Sequence, residues 1–313
     1  MTRRAQANSI EIAYDTFGDP AAPPIMLIMG IGCQLIDWPA EFCTQLADRG
    51  YWVVRFDNRD VGLSTRLDGA GVLNISALAK ALARGQAVQV PYRIQDMADD
   101  GAGLIDALGI ESAHIVGLSL GGNVAQLMAI HHPGRTSTLT SIMSSTREPG
   151  LPSATEEAVA LLSDPAPAGR AEYVEYRIRR QHALAGPGYP IDETYAREHA
   201  GRRFERGICP AGFARQLAAI MTLGSSKRAL QSVTAPAMVI HGDADPLVPV
   251  ECGIDTANSV PGAELLIIEG MGHQWQHPDL WAQMIDAIAG HCVVGGGRGL
   301  AHKDRSPGAR ECD

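Results

Sequence analysis

Gly117-Leu118-Ser119-Leu120-Gly121 has the spacing G-x-S-x-G. The preceding AHIVGL reads as a strand and the following residues as a helix. A serine at such a turn is held in a strained conformation with its hydroxyl displayed, and the flanking glycines let other backbone pass beside it. The helix N-terminus favours negative charge developing there. A serine hydroxyl needs a base, and the base needs an acid to orient it. His241-Gly242-Asp243-Ala244-Asp245-Pro246 follows the strand-like AMVIH and offers two carboxylates. Gly270-Met271-Gly272-His273 follows the strand-like ELLIIE and offers an imidazole. By itself G-x-S-x-G is a weak signal, because a phosphate-binding turn can share it. Serine, aspartate and histidine in that chain order, each just after a strand, make a stronger one, and the chemistry they suit is acyl transfer through a covalent intermediate.

Other candidates receive blander readings. His131 and His132 close a helix and suit its C-terminal carbonyls, His241 sits within a strand run, and His277 stands at the start of the last helix. Arg59 and Asp60 read as a salt-bridged loop, and Ser64 as structural. Arg177, Arg179, Arg180, Arg202, Arg203 and Arg206 could bind an anion, but the acids interleaved with them favour a solvated helix face. Around Ser119 the expected apolar lining is Met29, Gly30, Gly32, Trp38, Trp275 and Met221.

Strand-like runs at residues 25–29, 51–56 and 113–118 alternate with helix-like segments at 38–49, 92–108 and 123–131. Such alternation predicts βαβ units and an α/β fold with a mostly parallel sheet. From 147 to 232 the texture changes. Turn clusters such as EPGLPS and AGPGYP separate helix-like pieces, including 170–185 and 191–206, and no strand-like run intervenes. Strands return at 237–241 and 264–269, followed by a helix over 278–289. The expected organisation is a core of residues 1–146 and 233–292, a helical cap of 147–232, and a Gly-rich, disordered tail of 293–313.

The 313 residues carry 26 Lys and Arg against 35 Asp and Glu, a net charge of −9 that makes nucleic acid a poor partner. Hydrophobic residues at 45% suffice for a sizeable core. No apolar run reaches the roughly 18 residues of a membrane-spanning helix, and no secretory signal is visible, so the expected setting is cytoplasmic. The six cysteines are scattered and show no metal-ligand spacing, so neither a metal nor another cofactor is expected. The expected partner is a small-molecule ester, with the protein a monomer or homodimer.

The segments FDNRDVGLST (56–65), GLSLGG (117–122), HGDADPLVP (241–249) and GMGH (270–273) resemble the α/β-hydrolase superfamily. Within it, residues 27–65 are similar to bacterial esterases of the aclacinomycin methylesterase and mycobacterial lipase/esterase type. The resemblance covers roughly residues 8–292, loosely in the insertion. It implies a mostly parallel eight-stranded sheet flanked by helices, with a helical cap. It further implies Ser119 as nucleophile, Asp245 as triad acid in the G-x-x-D-x-x-x-P pattern, and His273 as base. The oxyanion hole would combine the Leu120 N–H with one from the loop at Met29-Gly30-Ile31-Gly32, where the family carries His-Gly-X. Methionine replaces that histidine, and Ile31 takes the X position, with Gly32 as the alternative donor. Ser rather than Asp at the elbow argues against epoxide hydrolases and haloalkane dehalogenases. The expectation is a serine carboxylesterase acting on small to medium esters. Its alternatives are other triad chemistry (thioesterase, C–C hydrolase, acyltransferase or perhydrolase) or a slowly hydrolysing ligand receptor.

Overall fold

Eight strands form one sheet in the computed structural model of the chain, which describes residues 2–296. The strands are β1 (Arg3–Ala7), β2 (Ile10–Phe17), β3 (Pro24–Ile28), β4 (Trp52–Phe56), β5 (Ala113–Leu118), β6 (Thr136–Ile142), β7 (Ala237–Gly242) and β8 (Glu264–Ile268). Their spatial order is β1-β2-β4-β3-β5-β6-β7-β8. The pairs β1/β2 and β2/β4 are antiparallel, and every other pair is parallel. The expected α/β class and eight-stranded sheet are therefore present.

The helices are α1 (Ala40–Ala47), α2 (Ile75–Ala83), α3 (Ile94–Ala107), α4 (Leu120–His131), α5 (Glu156–Ser163), α6 (Arg170–Leu184), α7 (Glu193–Arg206), α8 (Pro210–Met221), α9 (Lys227–Leu230), α10 (Val250–Ser259) and α11 (Pro278–Gly296). Successive side chains of a strand point to opposite faces, so a sheet covered on both sides needs apolar residues at consecutive positions. In β3, Met26 and Ile28 join the core layer under α3 and α4, while Ile25 and Leu27 join the layer under α1 and α11. Val54 and Val53 of β4 divide in the same way.

Strand order reverses between β3 and β5. The chain leaves β3 for β4 on one side, then crosses back to β5 on the other. The loops after β3 and β5 diverge at that point and leave a crevice at the strand carboxyl ends. Five helices, α5 to α9, fill the chain between β6 and β7, among them the helices expected at 170–185 and 191–206. The last helix runs on to Gly296, so the first residues of the expected 293–313 tail continue α11. The rest of that tail lies outside the described residues.

Several arginines of this inserted segment depart from the expected solvated face, while Arg179 and Arg202 stay exposed on it. Arg203 and Arg206 reach down to Asp37 and Asp57, and Arg215 reaches Asp60 at 2.7 Å. Buried carboxylates on the loops after β3 and β4 draw them inward, since a buried charge needs an opposite one. Arg180 is also buried. Arg59 and Asp60 are ion-paired, but with separate partners. Arg59 bonds Asp100 of α3 at 2.6 Å, and Asp60 bonds Arg215 of α8.

Candidate active site

Ser119 stands between β5 and α4 with φ 56° and ψ −120°. Left-handed φ is strained for a residue with a Cβ, at a cost of roughly 1–3 kcal/mol. The turn is held in place by the Ser119 N–H, which donates to Ile142 O at 2.9 Å. The two flanking glycines are steric requirements. A Cβ on Gly117 would stand 2.0 Å from Gly121 O, and one on Gly121 would stand 2.2 Å from Ile28 O. α4 begins at Leu120, three residues before the expected 123, directly behind the serine.

His273 lies on the loop after β8. Its Nε2 is 3.0 Å from Ser119 Oγ, and its Nδ1 is 2.7 Å from Asp245 Oδ2. The second oxygen of Asp245 accepts the N–H groups of Leu247 at 2.8 Å and Val248 at 2.9 Å. An acceptor-only carboxylate facing Nδ1 favours the neutral tautomer protonated there, which leaves the Nε2 lone pair for the serine hydroxyl. Asp243 is exposed and accepts the Gly270 N–H at 2.7 Å, so it fastens the loop that carries the histidine. The inserted segment fastens the same loop: the Gln274 N–H donates to Leu184 O at 3.0 Å, and the Gly188 N–H to Gly270 O at 2.9 Å.

The loop after β3 passes beside the serine. Asn58 Nδ2 donates to Met29 O at 3.0 Å, and the Gly32 N–H donates to Gln216 Oε1 at 2.8 Å. Gly32 is thereby occupied. Among the described residues no hydrogen bond takes up the N–H of Ile31 or of Leu120. Both residues border a cavity that reaches Ser119.

Ser119 borders two cavities. The larger, about 950 Å³, is also lined by Met29, Gly30, Ile31, Gly32, His273 and Trp275. The smaller, about 400 Å³, is also lined by Ile31, Leu120 and Asn123. Two expected pocket residues line neither. Trp38 is fully buried and packs on Phe42 and Trp275, with ring centroids 5.3 and 4.9 Å away. Met221 ends α8 one turn beyond Leu217, which lines both cavities. Sequence reasoning missed Tyr173 and Tyr176 of α6 and Phe213 of α8, and read Arg177 of α6 as part of a solvated face; all four line the larger cavity. The available signal was the helical spacing of 173, 176, 177, 180, 181 and 184 on a single face of α6.

The other histidines are engaged elsewhere. His241 is fully buried and its Nε2 donates to Val248 O at 2.7 Å, while His132 bonds Asp99 of α3 rather than helix carbonyls.

A mostly parallel α/β sheet with a serine elbow, a histidine and an aspartate at strand ends defines a hydrolase-type enzyme. The alpha/beta hydrolase fold family model matches residues 23–279, and the chain belongs to that family. It is 30% identical over 301 residues to rhodomycin D methylesterase of Streptomyces peucetius, covering 87% of this chain and 92% of that one. Among solved structures it is similar to a bacterial membrane phospholipase A, with TM-score 0.72, 21% identity and coverage of 94% and 86%. It is also similar to an esterase of a Rhodococcus species, with TM-score 0.71, 19% identity and coverage of 93% and 98%. Both structural likenesses concern the fold. Among the described residues no helix is long and apolar enough to cross a membrane.

Proposed function

We propose that the protein is a serine carboxylesterase acting on small to medium esters through an acyl-enzyme on Ser119, His273 and Asp245. The observation that carries this reading is His273 bridging the other two, 3.0 Å from the hydroxyl and 2.7 Å from the carboxylate. Ser119 Oγ attacks the acyl carbon while His273 Nε2 takes its proton. Asp245 holds the tautomer and the imidazolium charge that follows. The oxygen of the tetrahedral intermediate lies against the free N–H groups of Leu120 and Ile31. His273 then protonates the departing alcohol, and water activated by the same imidazole releases the acid.

The two cavities that Ser119 borders suit the two halves of an ester. The related Streptomyces enzyme is a methylesterase by name. We carry over a short alkoxy group for the 400 Å³ side, with the larger acyl half on the 950 Å³ side. Residues 147–232 act as a cap that roofs the larger cavity through α6 and α8 and sets substrate choice.

A panel of p-nitrophenyl esters from acetate to octanoate, run on wild type and Ser119→Ala, tests the reading. Sustained turnover with kcat on the order of 1 s⁻¹ or higher is expected, lost in the variant. One burst per site followed by near-zero turnover across the panel would instead mark a ligand receptor.

A further inference from the structure

The larger cavity has an unbalanced charge on its roof. Three carboxylates line it, Asp37, Asp60 and Asp164. Each already has an arginine: Asp37 has Arg203, Asp60 has Arg215 at 2.7 Å, and Asp164 has Arg179 at 4.0 Å. Asp37 also bonds His199 at 3.0 Å. Two further arginines line the cavity, Arg177 and Arg180, and among the described residues neither has a carboxylate within 4.0 Å.

Arg180 is only 8% exposed. Its guanidinium lies over the rings of Tyr176 and Phe213, 5.2 and 5.7 Å from their centroids. One nitrogen donates to Leu161 O, and no protein acceptor takes the remaining N–H groups among the described residues. Burial pulls its pKa below the usual arginine value, and the nearby Arg177 and Arg203 charges add to that pull. A guanidinium set this deep is stabilised by an anion, and its planar fork fits a carboxylate. Its place on the helix is also suitable. Leu184 O of α6 accepts the Gln274 N–H, next to His273, and Arg180 is one turn earlier, about 6 Å along the axis.

We propose that Arg180 is a specificity-determining residue that binds an ionised carboxylate on the substrate, so that the preferred ester carries a second, anionic group on the half lodged in the larger cavity. Tyr176 and Phe213 form the apolar walls beside that charge, and Arg177 adds positive potential one turn away. The proposal rests on the esterase reading for its reaction, so its test separates binding from turnover.

Binding is read by titrating Ser119→Ala with phenylacetate and with phenylacetamide, which differ in charge but hardly in shape. Phenylacetate should bind at least tenfold more tightly, and Arg180→Met should abolish the difference while Arg180→Lys keeps part of it. Equal affinity for the two, or no phenylacetate binding at millimolar concentration, would overturn the proposal without altering Arg180 at all. Turnover is read with the p-nitrophenyl half-ester of adipic acid against p-nitrophenyl hexanoate. Arg180→Met should raise KM for the half-ester about tenfold with kcat little changed, and leave the hexanoate within about twofold. An equal loss on both esters would make Arg180 merely structural. If wild type turns over neither ester yet discriminates phenylacetate from phenylacetamide, the esterase reading fails and the carboxylate site stands.

Discussion

Asp243 and Asp245 occupy one turn, yet only Asp245 meets the imidazole. Asp245→Asn should lower kcat by about 10³–10⁴-fold, because an amide at that place admits the wrong histidine tautomer. Asp243→Asn should stay within a few-fold, since it removes a charge from a bond to the Gly270 N–H and little else. Steady-state kinetics on one p-nitrophenyl ester compares them, and a worse Asp243 variant would put the acid at the wrong aspartate. Ser119 and His273 were legible because each stands a few residues past its strand, and strand ends converge in an α/β sheet; the choice of Asp245 over Asp243 came from the family resemblance. Trp38 and Trp275 were not separable, because both adjoin site loops in the chain and only packing sends Trp38 into the core. The arginine partners were illegible for a related reason. Arg203 and Asp37 are 166 residues apart, and nothing local to either announces the pairing.

β5 leads into the serine and carries a buried histidine. His114 is 4% exposed, with Nδ1 3.0 Å from Thr138 Oγ1 of β6. Burial, helped by the His291 charge, lowers its pKa from 6.5 to about 4. Burial lowers the pKa values of His241 and His291 as well. A histidine with a depressed native pKa is neutral in both states above 6.5. Below that the unfolded chain binds a proton that the native state refuses, so stability falls as pH drops from about 6.5 towards 4. For His114 the loss is on the order of 2–3 kcal/mol. Urea denaturation across that window should show the decline, and His114→Gln should make it shallower; an unchanged slope would mean that His114 is protonated in the folded protein. β6 explains why part of the sheet was hidden in the sequence. Its TSTLTSI has no apolar run, yet Thr138, Thr140 and Ser141 are buried among neighbouring strands. Thr138 bonds His114, and Ser141 accepts from Gln126 at 3.1 Å, so at those two positions side-chain partners replace the missing hydrophobicity. β3, β5 and β7 were visible because central parallel strands need apolar residues on both faces.

The whole molecule is a two-faced sheet joined to an inserted helical layer at buried ion pairs. Arg215 and Asp60 have fully buried side chains, and the arginine also donates to Gly71 O at 2.7 Å. Arg215→Met should destabilise the protein by about 3–5 kcal/mol, because Asp60 is left charged in the interior. Adding Asp60→Asn should recover much of that loss. Urea denaturation at pH 7 checks both, and a single variant within 1 kcal/mol of wild type would mean that water reaches Asp60. The helical character of the segment and its turn-rich junctions were readable in outline, whereas the direction of the inner faces depends on loops 100 or more residues away in the chain, as at Arg203 and Asp37.

The central claim is that Ser119 is the nucleophile of an ester hydrolase, and active-site labelling tests it most directly. Wild type is treated with a fluorophosphonate, and intact mass, the modified peptide and residual p-nitrophenyl ester hydrolysis are followed together. One adduct per chain should appear, on Ser119, with activity falling in step, and Ser119→Ala should neither label nor turn over. A stoichiometric adduct on any other residue, or hydrolysis that persists in Ser119→Ala, would contradict it.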